Sequence, residues 1–111
     1  MIQAYEVEGT LVLSLAGDLD ALSAGSLDLM VTELLGQGRR SLVVDLAQIE
    51  RVYTAGISVL LRLQRAAAGR GARLICCSAR PFVREMMRIA LWDLEVQSDL
   101  TAAVALSRQM E

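Results

Sequence analysis

No histidine occurs among the 111 residues, so the commonest general base and the commonest metal ligand are both missing. Lysine is missing too: all 11 positive side chains are arginine. That excludes a Schiff-base enzyme, a Ser–Lys dyad and a Walker-type phosphate loop with its own lysine. The two cysteines, Cys76 and Cys77, are adjacent in R-L-I-C-C-S. On a strand they point to opposite faces, which suits neither a metal site nor an ordinary disulfide, so they read as buried, reduced thiols. No apolar run is long enough to span a bilayer, although 54% of the residues are hydrophobic. A net charge of -2 provides no basic field to draw in nucleic acid or anionic lipid. The opening M-I-Q-A-Y-E-V-E lacks the basic start and apolar middle of a signal peptide, and a cytoplasmic location is expected. No catalytic residue, metal ligand or cofactor is expected.

What is present is a regular alternation of strand and helix patterns. Residues 2–8 alternate loosely, and 11–16, L-V-L-S-L-A, form an apolar run of strand length, with Glu8-Gly9 between them as a hairpin turn. Gly17-Asp18-Leu19-Asp20 ends the second strand. In S-A-G-S-L-D-L-M-V-T-E-L-L-G, Leu27, Val31 and Leu34 share one helical face, with Gly36 or Gly38 as the stop. Ser41–Leu46 reads as a strand covered on both faces, and A-Q-I-E-R-V-Y as a connection. A second helix runs from about Thr54 to Ala68, with Ile57, Leu60, Leu61 and Leu63 inward and Arg62 and Arg65 in water. Ala72–Ser78 is another buried strand. Pro81 opens a third helix, where its missing N–H costs least, with Phe82, Val83, Met86, Met87 and Ala90 inward. A brief strand at Glu95–Gln97 precedes a last helix capped by Ser98 and running through Leu106. The order β-β-α-β-α-β-α-β-α predicts a single α/β domain over residues 1–111: an open mixed sheet, an initial hairpin followed by β-α units, and about four helices.

Three features could carry chemistry. Asp18, Asp20 and Asp45 lie near the carboxyl ends of predicted strands, where open α/β sheets place their sites. A phosphoacceptor site of the receiver kind at Asp45 needs a lysine that the chain lacks, and Asp18 and Asp20 also suit a turn. In Tyr53-Thr54-Ala55-Gly56, Thr54 precedes small residues at a helix start, which suits a cap and leaves the hydroxyl approachable. A phosphoryl group there adds about -1.5 to -2 charge at the positive end of the helix dipole. The arginines Arg39, Arg40, Arg51, Arg62, Arg65 and Arg70 are scattered among acids without interleaved aromatics and read as a solvated face.

Taken in order, G-D-L-D after the second strand, V-V-D-L-A in the third, Y-T-A-G-I at the second helix and A-R-P-F-V-R-E-M-M-R-I-A-L-W-D resemble the STAS domain family. The resemblance covers essentially the whole chain and is similar in type to the bacterial anti-sigma factor antagonists. It implies a non-enzymatic switch. The unphosphorylated form would bind an anti-sigma factor, a serine/threonine kinase with an ATP-binding fold, and so release a sigma factor. A phosphatase would reverse the modification. The family motif of Asp, Ser or Thr, a small residue and Gly maps the phosphoacceptor to Thr54, with Ala55 and Gly56 following; Tyr53 stands where the family has its aspartate. The implied partner surface comprises Asp18, Asp20, Tyr53, Thr54, Ala55, Gly56, Ile57 and Ser58. R-V-Y-T-A-G-I-S-V-L-L-R-L also resembles STAS subunits of ABC-type membrane lipid-transport complexes, which implies a transporter ATPase subunit as the alternative partner, with no insertion into the membrane.

Overall fold

The computed structural model describes residues 1–90 and 96–109, with Ala90 described by its backbone alone. Among them the order is β1 (Ile2–Val7), β2 (Thr10–Leu19), α1 (Ala21–Gly36), β3 (Ser41–Val52), α2 (Thr54–Gly69), β4 (Arg73–Cys77), α3 (Pro81–Ala90), β5 (Val96–Gln97) and α4 (Leu100–Arg108). The alternation expected from the sequence is therefore found. The inward placement of Ala90 and the strand start at Glu95 fall outside the described side chains and residues.

The five strands form one mixed sheet in the order β1-β2-β3-β4-β5. β1 runs antiparallel to β2 through a two-residue turn in which Glu8 (φ 50) and Gly9 (φ 84) both take positive φ, the geometry that matches strand twist. The remaining neighbours are parallel. Side chains alternate across the sheet, so Leu11, Leu13, Leu15, Leu42, Val44, Leu74 and Cys76 face one way, into a core closed by α1, α2 and α3. Val12, Val43, Ile75 and Cys77 face the other way, against Ala103 of α4. Thr10 and Ser41 reach the same side, where the Thr10 hydroxyl donates to Ser107 Oγ at 3.3 Å and the Ser107 hydroxyl donates to Ser41. This buried chain of hydroxyls ties the end of α4 to the starts of two strands.

Several local expectations change. β2 and β3 are longer than their apolar runs suggest, because β3 carries extra residues that break its alternation. From Ser14 to Ala16 in β2, β3 advances from Asp45 to Gln48; from Gly17 to Asp18, it advances from Ile49 to Arg51. Glu50 is the extra residue of the second bulge. What reads as the connection A-Q-I-E-R-V is thus strand. Asp99, not Ser98, caps α4, accepting the Ala102 N–H at 2.8 Å. Among the described side chains of α3, Val83 and Met87 turn fully inward, and Phe82 and Met86 are exposed. The apolar arc of that helix is wider than the sheet can cover.

Burial pushes the Cys77 thiol up to about 11, with Asp45 and Asp99 adding to the rise and a hydrogen bond to Ser78 opposing it. Burial, then Asp45 and Cys77, also raises the Tyr5 phenol. Both groups hold their protons more tightly folded than unfolded, so the Cys77 contribution to stability is complete below the unfolded thiol value near 9 and is lost as the pH rises through about 11, and that of Tyr5 is complete below 10 and is lost above it. Urea midpoints should fall between about pH 9 and about pH 11, and Cys77→Ala should flatten part of that fall.

Candidate functional site

The carboxyl end of β2 meets the amino end of α2 at one residue, Leu19. Asp20 is the N-cap of α1: its carboxylate accepts the Ser23 N–H at 3.0 Å, and Ser23 Oγ accepts the Asp20 N–H at 3.0 Å. The Ser23 hydroxyl also donates to the Asp18 carbonyl at 2.8 Å, so Asp18-Leu19-Asp20 is wound tightly around the start of the helix. The bond from the Ser23 backbone, ahead of lesser bonds to the same carboxylate, holds Asp20 below the usual carboxylate range. Alongside, β3 ends with Val52 in register with Leu19, and the Tyr53 N–H donates to the Leu19 carbonyl at 3.0 Å.

That bond fixes where α2 begins. Tyr53 has the extended conformation of an N-cap (φ -120, ψ 152), and its carbonyl accepts the Gly56 and Ile57 N–H groups at 3.0 and 3.1 Å. Thr54 is the first helical residue and not the cap, which corrects the capping role expected for its hydroxyl: a side-chain cap must come from the extended residue before the helix. Tyrosine cannot supply one, and among the described residues no side chain caps α2. Among the described residues the Thr54 and Ala55 N–H groups have no acceptor. Tyr53, Thr54, Ala55 and Ser58 are exposed, with Tyr53 47% accessible.

Gly56 and Ile57 are buried. As direct contacts for a partner both are corrected: Ile57 sits in the main core, and Gly56 lies against Leu19. A Cβ at Gly56 would stand 2.7 Å from Leu19 Cγ and 2.8 Å from the Leu19 carbonyl carbon, and closer still to the carbonyl oxygen. Only glycine lets the helix start approach the strand end this closely. Sequence reasoning missed Leu19 as the hub. Its signal was a lone apolar residue between two acids at a strand end, paired with a glycine in the first turn of a helix.

The acidic triplet is not a cluster. Asp45 lies opposite Cys77 on the α4 side of the sheet and accepts the Ala47 N–H at 3.0 Å, well before the strand end that carries Asp18 and Asp20. Among the described residues no group of three His, Cys, Asp or Glu could hold a metal. Arginines spread over the surface in exposed pairs, including Arg62–Asp28 at 2.9 Å and Arg108–Glu8 at 3.2 Å, each worth little on its own. No helix among the described residues is long and apolar enough to cross a membrane.

A five-stranded mixed sheet in this order with four helices among the described residues is the α/β fold of the STAS domain. The family described as Mlab, STAS domain matches residues 2–102, and the chain belongs to it. BtrV of Bordetella bronchiseptica, which carries the name of an anti-sigma factor antagonist, is 26% identical over 85 residues, 77% of this chain and 73% of BtrV. The unphosphorylated form of the anti-sigma factor antagonist SpoIIAA superposes with a TM-score of 0.81 at 18% identity, covering 98% of this chain and 97% of that one. The phosphorylated Bacillus SpoIIAA superposes at 0.72 with 16% identity, covering 96% of this chain and 98% of that one.

Two substitutions test the geometry of the helix start. Gly56→Ala should lower unfolding free energy by about 1–3 kcal/mol, because the methyl group must displace Leu19 or the helix. Tyr53→Asp should raise it by about 1 kcal/mol by supplying the missing cap. Denaturant titrations of both variants check the opposite signs.

Proposed function

We propose that the protein is an anti-sigma factor antagonist. Unphosphorylated, it binds an anti-sigma factor that is also a serine/threonine kinase with an ATP-binding fold, and thereby frees a sigma factor. The single observation that carries this reading is the exposed Thr54 hydroxyl on the first residue of α2, held by a backbone locked to Leu19. Asp18, Asp20, Tyr53, Ala55 and Ser58 surround it as the contact surface, and Gly56 and Ile57 support it from beneath. The role is regulatory, and a cytoplasmic location goes with it.

Switching follows from charge. The kinase transfers the γ-phosphoryl group of ATP to Thr54 Oγ1, ADP leaves, and the hydroxyl proton goes to the kinase's own base. The product carries about -1.5 to -2 charge at pH 7. On this chain, the free Thr54 and Ala55 N–H groups and the helix dipole make that charge tolerable. A partner surface complementary to the neutral hydroxyl meets both the added charge and the neighbouring carboxylates of Asp18 and Asp20. Binding is lost until a phosphatase removes the group.

A second reading keeps the same surface and gives it a different partner, the ATPase subunit of an ABC-type membrane lipid-transport complex. The match to the Mlab-type STAS family favours it. The two readings differ in what this surface holds and agree on Thr54.

Affinity purification of the chain from its native cells, followed by incubation of the purified partner with ATP, separates them. The antagonist reading expects a kinase and a mass gain of one phosphoryl group that is absent in Thr54→Ala. A transporter ATPase with no mass gain supports the second reading. Modification at another residue overturns the switch.

A further inference from the structure

A groove of ≈ 700 Å³ runs between the bulged end of the sheet and the first half of α1. Ile2, Ala16, Leu22 and Met30 give it apolar walls, and Asp18 and Glu50 stand along it. Two features show that the fold makes this groove rather than leaving it by chance. Gly17, at φ +91, turns β2 here, and the second bulge inserts Glu50 into β3 and aims it at the groove. Leu22 stands at the lip and is 83% exposed.

The polar groups fall into two kinds. Asp20 and Ser23 also line the groove, but they spend their hydrogen bonds on each other as the cap of α1. Asp18 and Glu50 have no cationic partner among the described residues. Arg51 stands opposite Asp18 in the ladder, yet no ion pair joins them. The Met1 ammonium also lines the groove but is bonded to the Ala16 carbonyl at 3.2 Å, so the groove offers apolar walls with two carboxylates that form no ion pair among the described residues. Asp18 and Asp20, which line it, are the sequence neighbours of Leu19, whose carbonyl accepts the Tyr53 N–H.

We propose that this groove is a docking site for a segment of the partner protein that carries an apolar side chain flanked by arginine or lysine. The apolar side chain enters between Met30 and Ile2, and the cationic groups pair with Asp18 and Glu50. A small ligand lying in the slot would leave Leu22 in water, whereas a protein segment covers it. The charge pair steers the encounter and sets the register of docking more than it adds affinity. The two contact regions have separate tasks: the Thr54 surface senses phosphorylation, and the groove selects the partner. The inference rests on the antagonist reading for who the partner is, but not for what it must present.

The test places a photo-crosslinking amino acid at Ser26, beside the groove, at Ala55, on the Thr54 surface, and at Gln37, at the far end of α1, in the full chain expressed in its native cells. Crosslinked peptides are then sequenced. Ser26 should capture the same protein as Ala55, through a segment with apolar residues and an excess of arginine or lysine, and Gln37 should not capture it. With that partner purified, the double variant Asp18→Arg/Glu50→Arg should bind about tenfold more weakly and lose most of the salt dependence of binding. Its circular dichroism should be unchanged, and Thr54→Ala should keep the salt dependence. Capture from Ala55 alone, or a neutral or acidic segment at Ser26, overturns the groove proposal and leaves the antagonist reading standing. Capture from Ser26 of a transporter ATPase through a cationic segment sustains the groove and overturns the antagonist reading. No capture from either position overturns both.

Discussion

The Leu19 carbonyl is the point on which the site turns. It ends β2, accepts the Tyr53 N–H and lies against Gly56, so one peptide group fixes the start of α2 in both distance and direction. The hydrogen bond alone contributes only about 1 kcal/mol net. The steric half of the contact is what makes the geometry unique, since any side chain at position 56 must move the helix or the strand. Thr54 inherits its position from that contact and needs no bond of its own. The scaffold beneath that hydroxyl is therefore built without it.

The same constraint explains why a helix without a side-chain cap persists. A capping residue normally satisfies part of the exposed first turn, and here the strand-to-helix junction supplies the missing rigidity through β2. The amides left open at Thr54 and Ala55 are then a property of the site and not a flaw in the fold. On the opposite side of the sheet the balance differs. α4 buries Ala103 and Val104, packs Leu100 and Leu106 at the margin of that core, and has its end tied by the hydroxyl chain through Ser107. One side of the sheet is closed by three helices, the other by one helix with a polar tie at its end.

The element order was legible because periodicity survives wherever a segment is buried evenly: Ser41–Leu46 and, within Ala72–Ser78, Arg73–Cys77 are strand, and Ile57, Leu60 and Leu63 of the expected helix stripe are buried, while Leu61 is only half-buried. The extensions of β2 and β3 were not, because extra residues shift the faces and erase the alternation that marks a strand. Thr54 was legible as an exposed helix start, but the cap expected of it falls one residue earlier, since Tyr53 takes the extended position and bonds a residue far away in sequence. The grouping of Asp45 with Asp18 and Asp20 failed for a similar reason. Distance along a long bulged strand separates what strand-end counting puts together. In α3, Phe82 and Met86 read as core because a helix cannot reveal from its own sequence how much of its apolar arc the sheet will cover.

Cys76 and Cys77 give the molecule an unplanned pair of reporters. Adjacent on one strand, they point into different compartments, Cys76 toward α2 and α3 and Cys77 toward α4. A thiol in a closed compartment reacts only when its own cover opens. The two sulfurs therefore time separate events from neighbouring positions: lifting of the bulky layer and release of the hydroxyl-tied helix. Their relative labelling rates would rank the two sides of the sheet by local stability within one molecule, without any engineered probe.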